Sequence, residues 1–137
     1  MATIYYAHDI RTYGTEAERL ALRRIADEYP GFRVINPSTD IEQPRPGRTG
    51  GEVMRDCLFA VASADIVIFS AFEDDHVRKG VRSEIQLSRQ LKIPTFWLVG
   101  GDGRFVPCKR VRLTSHQEYD DGWLPLVYKI TEVGHDA

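Results

Sequence analysis

The residues best equipped for chemistry in this 137-residue chain cluster in HVRKGVRSEIQLSRQ, positions 76–90. Glu84 stands about one turn into a helix that follows a charged, glycine-bearing loop. By local pattern it is a first-turn glutamate that complements the helix dipole or closes a capping box. Aimed at a ligand crevice, the same carboxylate becomes a reacting group. Arg11, Arg78, Lys79 and Arg82 bring cations from two loops toward the same region, and the helix start at Gly80 adds backbone N–H groups. That combination suits an anion such as a phosphate. Asp56, beside Cys57 on an earlier helix, reads by itself as a solvated helix charge. Tyr5 and Tyr6 are consecutive on a strand, so one packs on each face, and either hydroxyl could reach a ligand.

Other chemistries find little support. The formal net charge of −2 exerts no global pull toward polymeric nucleic acid or an anionic membrane. Two cysteines, Cys57 and Cys108, make no disulfide framework, and Cys57 fits a small core residue better than a nucleophile. His8, His76, His116 and His135 are scattered, and neither C-x-x-C nor H-E-x-x-H occurs, so no metal site is expected. The glycines form neither a P-loop nor a dinucleotide fingerprint. No apolar run reaches the roughly 18 residues a membrane span needs, and no signal peptide opens the chain. A soluble, cytoplasmic protein is the expectation.

The elements that must position these groups alternate. TIYYA (3–7) is a buried first strand. Thr15 caps a helix with Glu16 and Glu18 in its first turn and Leu20, Ala21 and Ile25 toward the core. FRVIN (32–36) is a second strand. Residues 37–51, rich in proline and glycine, form a long loop of the kind that is often functional. A second helix follows from about Glu52 to Ser63, with Val53, Cys57, Ala60 and Val61 on one face. DIVIFS (65–70) is the clearest strand, apolar on both faces as central parallel strands are. After the loop AFEDDHVRK, a third helix runs from about Val81 to Leu91 with Val81, Ile85, Ser88 and Leu91 inward. PTFWLVG (94–100) is a fourth strand, residues 104–114 hold an edge or fifth strand, and 120–131 are read as a short terminal helix. This order predicts one α/β domain over 1–137: a three-layer, flavodoxin-like or Rossmann-like sandwich with a mainly parallel sheet of four to five strands. Ligands in such folds lie beyond the carboxyl ends of the strands. His8 to Arg11, Asn36 onward, Ser70 to Lys79 and Gly100 to Arg104 all fall on that edge.

Three segments in order, IYYAHDIR, MRDCLFAVASADIVIFS and KGVRSEIQLSRQLKIP, resemble the nucleoside 2-deoxyribosyltransferase superfamily, whose relatives include 2′-deoxynucleoside 5′-monophosphate N-glycosidases. The resemblance spans about residues 3–100. Its most specific element is an Ala-Asp pair with an apolar strand, a variable loop, and G-x-x-x-E at a helix start. It implies a flavodoxin-like fold, a homodimer or larger assembly, and cleavage or transfer at the bond between a base and deoxyribose, with no cofactor. Glu84 takes the place of the glutamate that attacks the anomeric carbon, and Tyr5 that of the tyrosine that positions it. Asp56 is the counterpart of an aspartate that handles the leaving base or the sugar hydroxyls. Cys57, however, stands at that aspartate's register, with Asp56 one residue early and about 100° around the helix. Implied substrate contacts are His8, Asp9, Ile10 and Arg11 after the first strand, Ser70 after the third, and Arg78 with Gly80 before the third helix. Some transferases place an acidic residue where this chain has Arg78, which tilts the expectation toward a phosphorylated substrate. Two further readings are a nucleotide-binding or sensing module without turnover, and NAD cleavage by analogy with TIR-type domains, which also use a helix glutamate.

Overall fold

The computed structural model describes residues 1–41, 49–116 and 127–134. Its main sheet contains β1 (Thr3–Ala7), β2 (Arg33–Ile35), β3 (Ile66–Phe69), β5 (Thr95–Leu98) and β6 (Phe105–Pro107), in the order β2-β1-β3-β5-β6. The first four are parallel and β6 is antiparallel. The alternation of side chains along a strand sorts the core into two layers. Tyr5, Ala7, Val67, Phe69 and Trp97 pack against α3 (Gly50–Ala62) and α4 (Lys79–Gln90). Ile4, Tyr6, Ile68 and Leu98 pack on the other face, against α1 (Glu16–Glu28) through Ala21, Leu22 and Ile25. The expected α/β architecture with a mostly parallel sheet is therefore present. Helices on opposite faces are what right-handed crossovers produce when the chain runs outward from β1 in both directions.

Local signals account for most helix boundaries. Thr15 and Thr49 accept from the backbone N–H groups of Glu18 and Glu52, capping α1 and α3. Asn36 caps the single turn α2 (Pro37–Asp40), whose proline sits in the first turn, where its missing N–H costs nothing. α4 differs: Arg78 occupies its cap position without a side-chain cap bond. Its inner stripe of Val81, Glu84, Ile85 and Ser88 is buried. Burial of a side chain such as Ile85 contributes about 1.5–3 kcal/mol.

Several expectations change. A second, antiparallel sheet is present, ordered β4-β8-β7, from β4 (His76–Arg78), β7 (Val111–His116) and β8 (Val127–Glu132). The loop before α4 thus holds a strand, and residues 104–114 divide between two sheets. Where a terminal helix is expected, β8 forms instead. Its residues pair with β4 on one side and β7 on the other, and from Tyr128 onward burial alternates, with Lys129 exposed between the buried Tyr128 and Ile130. Most of the preceding segment, and residues 42–48 of the expected functional loop, lie outside the described residues. Leu20 and Leu91 are about half exposed instead of inward. Each sits next to the true core positions, Ala21 in α1 and Ser88 in α4. Among the described residues, no helix is long and apolar enough to cross a membrane.

Candidate active site

β1 and β3 are neighbours at the centre of the sheet, and the chain leaves them in opposite directions. The crevice above their carboxyl ends is where such a sheet accepts ligands. Tyr5 projects from β1 toward α4, is fully buried, and donates its hydroxyl hydrogen to Glu84 Oε2. Glu84 is itself buried, on the inner stripe of α4. Cys57, from α3, reaches the same tyrosine hydroxyl. Burial, and then the adjoining Glu84 carboxylate, pushes the Tyr5 hydroxyl far above the ordinary phenol range. Tyr5 therefore stays protonated at any ordinary pH and remains a fixed donor. It holds one carboxylate oxygen and orients the other.

The loop after β1 is fastened on both sides. Asp9 is buried, and Arg78 grips it through two bonds of 2.6 Å, Nε to Oδ2 and Nη2 to Oδ1. The Arg11 backbone N–H also donates to Asp9 Oδ1, at 2.9 Å. The bond to Asp9 raises the Arg78 guanidinium above its usual range. Arg11 is exposed, and its guanidinium lies 5.5 Å from the centre of the Phe72 ring; that of Arg78 lies 5.9 Å from the same ring. His8 turns the other way. Its Nε2 lies 2.7 Å from Glu18 Oε2 and its Nδ1 3.0 Å from the Tyr6 carbonyl, with the ring stacked on Tyr6 at 4.1 Å. Tyr6 donates to Ser70 Oγ at 2.9 Å, and burial pushes its hydroxyl up to about 12.

The structure thus brings together Tyr5 and Glu84 on one face of the sheet, with Asp9, Arg78 and Arg11 over its edge. His8 and Ser70 fall on the opposite face with Tyr6. Asp56 is exposed on α3, while Cys57 faces Tyr5. Ile10 is exposed in the turn after β1. Gly80 lies in the first turn of α4, where an added β-carbon would meet only Met54 Sδ, at 3.9 Å. Arg82, expected on the basic edge, lies over Tyr128 at 4.7 Å, against the second sheet. Two participants escape the sequence reading. Phe72 carries no pattern that marks it. Glu18 reads as a dipole glutamate, although its spacing from Thr15 and a nearby histidine were visible.

Comparison with protein-family models, curated proteins and solved structures finds no match. Among the described residues no group of three or more His, Cys, Asp or Glu side chains could hold a metal ion. What the site does offer is a buried carboxylate held by a buried phenol on α4, the helix whose cap residue Arg78 pairs with the buried Asp9.

Proposed function

We propose that the chain cleaves or transfers at the N-glycosidic bond of a 2′-deoxynucleoside or its 5′-monophosphate, with Glu84 as nucleophile. The observation that carries this reading is the buried Tyr5–Glu84 pair at the carboxyl edge of a parallel sheet. The spatial order of the four parallel strands supports a flavodoxin-like fold, which the sequence resemblance also implies. In the first step a Glu84 carboxylate oxygen bonds to the anomeric carbon as the carbon–nitrogen bond breaks. The bonding pair leaves with the base, which takes a proton from water. In the second step water or the nitrogen of another base bonds to the same carbon as its bond to Glu84 breaks; the attacking group's proton passes to solvent and Glu84 returns to a carboxylate. The carboxylate also stabilises the oxocarbenium charge that develops in both steps. With Arg78 held by Asp9, a substrate phosphate would meet Arg11 first.

The test is incubation with deoxynucleosides, their 5′-monophosphates and NAD, with and without an acceptor base, followed by chromatography for free base. The wild type should release base, and Glu84→Gln should release none while unfolding at a similar temperature. Base release that persists in Glu84→Gln would overturn the assignment. A second reading, nucleotide binding without turnover, draws on Cys57, a thiol facing Tyr5 where the resemblance calls for a carboxylate. Saturable nucleotide binding with no base released over long incubation would favour it.

A further inference from the structure

On the α1 face of the sheet, across β1 from Glu84, a cavity of about 850 Å³ opens between α1, the ends of β3 and β5, and the β5–β6 turn. Its volume suits a small organic ligand, for which sites of about 300–1,000 Å³ are typical. Ala21, Leu98 and Leu20 provide apolar surface. Leu20 is 51% exposed, and the cavity explains why a leucine on the helix's apolar side stays uncovered.

The polar groups are few and oxygen-rich. Tyr6, which is buried, and Ser70 both line the cavity and share a hydrogen bond. Glu18 also lines it and pairs with His8. Among the described lining residues the cation is Arg24, already bound to Glu28 at 3.0 Å and to the Gly103 carbonyl at 3.1 Å. Asp102 is held by Arg104 at 2.7 Å. Asp75 is exposed, lines the cavity, and has no ion-pair partner among the described residues.

We infer that this cavity is a second binding site, for a small amine with an apolar body. Its ammonium group pairs with Asp75, its N–H groups meet the hydroxyl oxygens of Tyr6 and Ser70, and its hydrocarbon part covers Leu20. Glu84 and Tyr5 are not among its lining residues, although Phe72, which lines it, also lies beside Arg11 and Arg78 at the sheet edge; binding there does not use the Glu84 carboxylate.

The experiment is calorimetric titration with two pairs of probes that share a ring and differ in charge: tryptamine against indole-3-acetate, and benzylamine against benzoate. At least one amine should bind saturably, with its acid partner at least about tenfold weaker. Asp75→Asn should weaken the amine about tenfold, the size of one hydrogen bond to a charged group. Leu20→Arg, a change at an exposed position, should abolish binding, and Glu84→Gln should bind as the wild type does. Acids that bind as tightly as amines, an unchanged Asp75→Asn, no saturable binding by either amine, or loss of binding in Glu84→Gln would each overturn the site.

Discussion

Strand β1 delivers two different polar centres from one run of residues. Tyr5, Ala7 and Asp9 serve the α3–α4 side, where the polar members meet Glu84 and Arg78. Ile4, Tyr6 and His8 serve the α1 side, where the polar members meet Ser70 and Glu18. Both tyrosines are buried and both donate to an oxygen, yet the acceptors differ: Glu84 is a carboxylate and Ser70 a neutral hydroxyl. A donor fixed on a carboxylate sets the geometry and charge of a group that can attack. A donor fixed on a hydroxyl ties two strands together and shapes a wall. The difference between the centres lies in what the partner element supplies, since β1 supplies the same phenol to each.

The sharpest way to break this comparison is to remove each hydroxyl in turn. Tyr5→Phe should lower base release on the order of 10²–10³-fold, the cost of losing one pre-organised donor. Tyr6→Phe should leave the rate within about twofold, since its hydroxyl acts on the far face; it forfeits only a bond worth about 1 kcal/mol of stability. Steady-state rates on whichever substrate the wild type cleaves would decide it. Equal losses in the two variants would mean that the centres are not separate.

A smaller effect tests the fastening of the edge. Asp9 is buried and accepts from both Arg78 and the Arg11 backbone. Asp9→Ala leaves a partly buried guanidinium without its counter-charge, which should cost about 3 kcal/mol of unfolding free energy. Because Arg78 opens α4, the loss should also reach Glu84 and depress base release. Denaturant unfolding beside activity would read both. Lost stability with an unchanged rate would separate the latch from the nucleophile.

How much of the molecule was legible beforehand depends on the range of each signal. The parallel core was readable because buried strands announce themselves as apolar runs, as Ile66–Phe69 does, and because Thr15 sits one residue before its helix. The opposite facing of Tyr5 and Tyr6 was readable from the strand period alone. The same period extends to His8 and Asp9, and its extension would have divided the expected substrate contacts between two faces. β8 was not readable, because its pairing with β4 and β7 joins segments far apart in sequence, and a proline nearby mimicked a helix start. The Arg78–Asp9 bond is also long-range. Along the chain Arg78 has the look of a free cation available to phosphate; in the fold it already has a carboxylate.

The smallest effect separates the two phenols by pH. Burial raises both hydroxyls, Tyr6 to about 12 and Tyr5 further, with Glu84's charge adding to the shift at Tyr5. In the unfolded chain both titrate near 10. Below pH 10 neither form of the protein has lost these protons, so their contribution to stability is complete. Above pH 10 the unfolded chain sheds them while the folded chain keeps them, and stability falls as pH rises. For Tyr6 the fall levels off above about pH 12 and amounts to about 3 kcal/mol. For Tyr5 it continues past that point. Unfolding free energies measured between pH 9 and about 12 should therefore decline less steeply in Tyr6→Phe than in the wild type. Tyr5→Phe should be less steep over the same range and should stay so at higher pH, where the Tyr6 contribution has levelled off. Identical slopes in Tyr6→Phe and wild type would mean that Tyr6 is hydrated in solution. The closed wall between β1 and β3 on the α1 side would then fail, and with it the contrast between a phenol that orients a carboxylate and one that seals a cavity.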